Sequence, residues 1–208
     1  MRKINYTIMI LLLVLNGFLL TKINNYSKAI NDINILSKDI KKELLTLEQN
    51  IIDENLNENL KLREDIKFIN IHGNVVLAQD IFKKHALVLR YSESNCSDCI
   101  KAELNAVLKN KELFVNDIYI IAHYRNKRDL YVFYRDIQNK GLKNIKMYLL
   151  PDKDLNIPAD KLNMPYYFCI DSTLLITNFF IPQKDKPKLS ENYLLNTSKN
   201  FLGNNATQ

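Results

Sequence analysis

The sequence predicts an α/β domain, a three-layer sandwich with a central mixed sheet flanked by helices. An N-terminal transmembrane helix and a long helical stalk precede it. Three observations carry this. An uncharged apolar run opens the chain, a stretch without Pro or Gly follows with apolar residues in steps of three and four, and buried strands then alternate with amphipathic helices. The 208 residues suffice for one ordinary domain and an accessory segment.

Several function classes drop out early. The net charge is +6, from 29 Lys and Arg against 23 Asp and Glu, and the bases are scattered among acids. A nucleic-acid interface would show a basic stripe with interleaved aromatics, so no nucleic-acid partner is expected. Gly17, Gly73, Gly141 and Gly203 lie too far apart for a phosphate-cradling loop or a GxSxG elbow. His72, His85 and His123 lack metal-ligand spacing. No cofactor and no metal are expected.

Arg2 and Lys3 precede the uncharged run Ile4 to Thr21. A helix crosses the hydrocarbon core with about 20 apolar residues, and about 17 suffice. The run ends Gly17-Phe18-Leu19-Leu20-Thr21-Lys22, with no A-x-A-like cleavage site and no Cys for a lipid anchor. Residues 1–21 therefore read as an uncleaved signal anchor in the cell membrane. Arg2 and Lys3 hold the N-terminus in the cytoplasm, which leaves the rest extracytoplasmic, on the periplasmic side. Residues 22–62 read as the stalk. Ile23, Tyr26, Ile30, Ile33, Ile40, Leu44, Leu47 and Ile51 form a heptad seam broken only at Ser37. Two readings stay open: a coiled coil that pairs two copies into a homodimer, or one amphipathic helix lying on its own domain or the bilayer. Asp53 to Asn59 reads as a polar hinge.

Residues 63–203 form the folded domain, and 204–208 a disordered tail. His85–Tyr91 is a mostly apolar strand, and Ser92–Asn95 is a loop with helix-capping chemistry. Cys96-Ser97-Asp98-Cys99 follows, and Ile100, Leu104, Val107 and Leu108 then mark the buried stripe of a helix. The C-x-x-C motif thus occupies the first helical turn, where free amides and the helix dipole stabilise a thiolate. Asp98 suits the dipole but disfavours a neighbouring thiolate. Half a zinc site and a purely structural disulfide are the competing readings.

Further along, Asp117–Ala122 reads as a strand. Lys127–Asn139 reads as a helix with Leu130, Phe133, Tyr134 and Ile137 on one face, and Ile145–Leu150 as another strand. Met164-Pro165 precedes a strand over Tyr166–Asp171, which forms a hairpin with Leu174–Ile181. Cys169, between Phe168 and Ile170, reads as a small buried hydrophobe.

Strand, C-x-x-C helix and X-Pro hairpin together resemble the thioredoxin-like superfamily. With the anchor and the long interval from Cys99 to Pro165, the likeness is closest to membrane-anchored extracytoplasmic TlpA/ResA-type thiol-disulfide oxidoreductases. It covers Asp65 to about Phe201. The resemblance implies that Cys96 attacks, that Cys99 resolves the mixed disulfide, and that Met164 and Pro165 line the groove for a partner chain. It also implies a cis prolyl bond facing the disulfide, and protein thiols or disulfides as partners. Ser97 and Asp98 complete the motif. Three positions depart from the superfamily: Asn95 replaces its Trp, Asp98 its Pro, and Arg90 its buried acid. These departures keep a non-enzymatic adaptor on a coiled-coil stalk, with a structural disulfide, as the alternative. Peroxidase chemistry, known on this fold, would need a Pro-x-x-x-Thr-x-x-Cys context that Arg90 to Asn95 does not supply.

Overall fold

The computed structural model describes residues 2–114, 117–139 and 145–200, the side chains of 2–8, 137 and 138 excepted. The tail expected at 204–208 and the side chain of Ile137 lie outside the described residues. Two compact units divide at Gln49/Asn50. Helix α1, Arg2–Asn57, begins in the first. Its apolar stretch reaches a mean hydropathy of 1.3 and is long and apolar enough to cross a membrane. The polar residues within it satisfy themselves: Asn16 Nδ2 donates to the Leu12 carbonyl at 2.9 Å, and Thr21 Oγ1 to the Phe18 carbonyl at 2.7 Å. Ile23, Tyr26, Ile30, Ile33, Ile40 and Leu44 are all exposed.

The second unit, Asn50–Gln208, is built on a sheet. Its strands are β1 Lys67–Asn70, β2 Val75–Leu77, β3 Ala86–Ser92, β4 Ile118–His123, β5 Ile145–Leu149, β6 Tyr166–Ile170 and β7 Ile176–Phe180. The order across the sheet is β2-β1-β5-β4-β3-β6-β7. β3, β4 and β5 run parallel, and β6, β7, β1 and β2 pair antiparallel at the two sides. Every residue of β3 is buried, as a central strand requires. Its alternation sends Leu87, Leu89 and Tyr91 into one apolar layer and Ala86 and Val88 into the other. The first layer is covered by α3 Ser97–Asn110, α4 Lys127–Asn139 and α5 Pro187–Asn200, through Leu104, Val107, Leu130 and Leu194. The second is covered by the short helix α2 Ala78–Ile81 and by Leu62, Leu155 and Ile157.

The β1–β2 hairpin escaped the sequence reading. Asn70 Oδ1 accepts from the His72 and Asn74 amides at 2.9 and 3.0 Å, and Gly73 takes φ 84 to close the turn.

The last turns of α1 differ from the expected hinge. Glu54 accepts the Ile181 amide at 2.9 Å. Glu58 accepts those of Asn178 and Phe179, each at 2.9 Å. The buried Asn57 amide accepts from Ala159 N–H at 3.0 Å and donates to the Asp53 carbonyl at 2.6 Å. Asn59, at φ 62, turns the chain out of the helix. Residues 59–62 then pair along β7, with Asn59 N–H to Ile176 O, Ile176 N–H to Leu60 O and Leu62 N–H to Leu174 O. Glu54 and Glu58 therefore hold backbone amides at the end of β7, and Asn57 holds one in the turn at Pro158–Leu162.

Candidate functional site

β3 ends at Ser92, and the chain turns through Asn95, whose N–H donates to the Ser92 carbonyl at 2.9 Å. Cys96 is the N-cap of α3. Its sulfur accepts the Cys99 N–H at 3.3 Å, which satisfies one of the orphan amides at the helix start. Cys96 is exposed, Cys99 is half-buried, and both are free thiols.

The two sulfurs are pushed in opposite directions. The Cys96 thiol is held below its ordinary pKa by hydrogen bonds from the Cys99 thiol and the Cys99 amide, with the Lys184 ammonium adding a smaller effect. Burial, the hydrogen bond to Cys96 and the neighbouring sulfur's charge push Cys99 up to about 11. At neutral pH the first cysteine is the better thiolate and the second stays a proton donor. Cys169 is fully buried and pushed up to about 12 by desolvation, as a core thiol should be.

The loop carrying Met164 and Pro165 enters the same region. Asn163 takes the left-handed conformation, φ 53 and ψ 34. Its Oδ1 accepts from Asn95 Nδ2 at 3.2 Å and from Ser94 Oγ at 3.4 Å. Met164 is half-buried and Pro165 buried at the start of β6. The cis prolyl bond implied by the resemblance is absent: no peptide among the described residues is cis. The trans form of an X-Pro bond is favoured by about 0.5–1 kcal/mol.

Arg90, where the superfamily has an acid, is only 3% exposed. Its guanidinium donates to the Tyr91 and Lys153 carbonyls, and Nε has no partner. A buried acid lies on α3 instead. Glu103 is on α3, four residues after Cys99 and 4% exposed. Desolvation raises its pKa. One carboxyl oxygen has no hydrogen-bond partner, and neither has the buried Ser190 Oγ. Tyr167 Oη donates to the Glu103 backbone carbonyl at 3.1 Å.

Sequence reasoning missed Lys184, Asn163 and Glu103. Only Glu103 left a trace, as an acid on the apolar stripe one helical turn past Cys99.

A cavity of about 390 Å3 adjoins the loop, lined by Ser92, Glu93, Ser94, His123, Arg125 and Lys153. A larger one, about 450 Å3, lies among Lys83, His85, Asp117 and Tyr119 and is lined by neither cysteine. Among the described residues no group of three or more His, Cys, Asp or Glu could hold a metal ion.

No protein-family model matches this chain, and no curated protein does. Solved structures do. Reduced Prx3 from Vibrio vulnificus is 13% identical, covering 68% of this chain and 97% of its own, with a TM-score of 0.50. The thioredoxin domain of a thiol-disulfide oxidoreductase from Bacteroides vulgatus is 20% identical, covering 69% and 97%, at 0.45. A thiol:disulfide interchange protein from Bacteroides sp. is 21% identical, covering 67% and 91%, at 0.44. Identities this low speak to the fold alone. With the parallel β3–β4–β5 core and the β6–β7 hairpin, the domain has a thioredoxin-like fold.

Proposed function

We propose that this chain is a membrane-tethered, extracytoplasmic thiol-disulfide oxidoreductase that exchanges disulfides with protein partners through Cys96 and Cys99. One observation carries the reading: an exposed sulfur caps α3 and accepts the amide of a second cysteine that keeps its proton. A structural pair needs neither the exposure nor the asymmetry.

In the reducing direction the Cys96 thiolate attacks a partner disulfide. A Cys96–partner bond forms, and the partner's other sulfur leaves as a thiolate and takes a proton. Cys99 then loses its proton and attacks the Cys96 sulfur, so that the Cys96–Cys99 bond forms and the second partner thiolate departs. Two electrons pass from the pair to the partner, whose two thiolates take up the proton released by Cys99 and one from solvent; oxidation runs the same steps backwards. Glu103, one turn along α3 on the same face as Cys99, is a buried carboxyl with a raised pKa and suits the role of acceptor for the Cys99 proton. Met164 and Pro165 suit the wall of the partner groove, because Asn163 is bonded to the loop before Cys96.

The anchor rests on the length and composition of α1, and the orientation on Arg2 and Lys3. The exposed Ile23, Tyr26, Ile30 and Ile33 suit pairing of two copies through the stalk. Sedimentation of the detergent-solubilised chain should give a dimer, and a monomer there removes the pairing.

The direct test of the chemistry is Cys99→Ser. It should accumulate mixed disulfides through Cys96 in cells, visible on non-reducing gels and collapsed by dithiothreitol. An absence of such adducts, together with no disulfide reduction by the intact protein, would sink the oxidoreductase reading.

A further inference from the structure

The ladder between β3 and β6 ends at the pair Arg90 and Tyr166. Beyond it the chain continues on one side to Cys96 and arrives on the other through Met164 and Pro165. What ties these two segments is a set of side-chain bonds. Asn95, 9% exposed, uses both ends of its amide: Oδ1 accepts the Ser92 N–H at 2.7 Å, and Nδ2 donates to Asn163 Oδ1 at 3.2 Å. Ser94 Oγ, itself bonded to Ser92 Oγ at 3.0 Å, donates to the same Asn163 oxygen at 3.4 Å. The first bond fixes the Asn95 rotamer, so the second acts from a set position.

We propose that Asn95 and Asn163 form a clasp that sets the gap between Cys96 and the Met164-Pro165 segment, and so positions an extended polypeptide disulfide for attack. This deepens the oxidoreductase reading and rests on it. The clasp also gives the Asn before the first cysteine a purpose: an amide donates and accepts at once, where an indole only donates. Asn163 and Asn95 touch no reacting atom, so both are positioning residues. A small disulfide, which spans no groove, does not depend on the gap; a protein disulfide does.

The test compares two substrates on the full-length protein in detergent: insulin, as a polypeptide disulfide, and hydroxyethyl disulfide. Asn163→Gly keeps the left-handed backbone without strain and removes the acceptor. Its kcat/KM for insulin should fall about five- to tenfold, the worth of a lost positioning acceptor. Its rate with hydroxyethyl disulfide and the pH profile of Cys96 alkylation should stay within about twofold of wild type. Asn163→Asp, whose carboxylate still accepts from Asn95 Nδ2 and Ser94 Oγ and tolerates the left-handed region, should restore insulin reduction. Undiminished insulin reduction by Asn163→Gly overturns the clasp. So does a parallel loss on both substrates, or a failure of Asn163→Asp to rescue. A wild-type protein that reduces neither substrate overturns the oxidoreductase reading itself, a different result from any of these.

Discussion

Cys96 and Cys99 are one helical turn apart, yet their protons are held differently, because the first sulfur receives hydrogen bonds and the second gives one. Lys184, from the segment between β7 and α5, adds a charge that lowers both sulfurs. The rate of Cys96 alkylation by iodoacetamide should therefore rise through a midpoint below that of an ordinary cysteine. Lys184→Gln should move that midpoint upward without changing the fold, whereas an unmoved midpoint would show that the helix start does the work alone. Glu103 makes a second prediction at this scale. Burial raises its folded pKa above its unfolded value of about 4.3, so the fold favours the neutral acid. That contribution is fully present below the unfolded pKa and is lost as pH rises through the folded one. Glu103→Gln should consequently melt higher than wild type at pH 7, with the two melting temperatures converging near pH 4. If Glu103 also accepts the Cys99 proton, the same variant should resolve mixed disulfides more slowly, trading activity for stability.

At the scale of elements, the join between α1 and β7 is made by carboxylates. Asn178 sits at φ 51 at the irregularity in the β6–β7 ladder, and its amide and that of Phe179 both point at Glu58. A carboxylate that accepts two amides is worth more than a neutral acceptor, since hydrogen bonds to a charged group contribute about 1.5–3 kcal/mol. Glu58→Gln retains a single acceptor oxygen and should cost about 2 kcal/mol in urea denaturation, with an unchanged m-value. A loss no larger than a few tenths would mean that the solvent replaces the bond freely. Local elements of this domain were readable because their signals are local. Helix α4 begins and ends where the apolar spacing puts it, at Lys127 and Asn139. The strand before Cys96 and the hairpin after Pro165 are shifted by at most two residues at either end. The β1 and β2 strands, four and three residues long, were not readable, because β1 depends on pairing with β5, far away in the chain.

At the scale of the whole molecule, the same division explains what the sequence left hidden in the site. Cys96 and Cys99 declare themselves by spacing, whereas Lys184 acts on them, and Asn163 on the loop before them, only through the fold. The polar stretch Asp53 to Asn59 reads as a hinge for a related reason: sequence polarity does not distinguish a residue facing water from one facing backbone amides. This bears on where the folded unit starts. Glu54, Asn57, Glu58 and the edge pairing of residues 59–62 all belong to the second unit. Leu62, at 2% exposure, sits in its core, and its burial contributes about 2 kcal/mol. The carboxylate bonds of Glu58 add about 1.5–3 kcal/mol, whereas burial of the Glu54 carboxylate offsets what its bond to the Ile181 amide contributes. Together these approach the 5–15 kcal/mol that holds an ordinary domain folded. A fragment of residues 50–208 should therefore give a cooperative thermal transition by circular dichroism and keep its disulfide reductase activity in solution, without detergent. A fragment beginning at Arg63 should lose most of that stability and melt broadly or not at all. Equal melting of the two fragments would mean that the end of α1 only leans on the domain, and that its carboxylates are replaced by water at no cost.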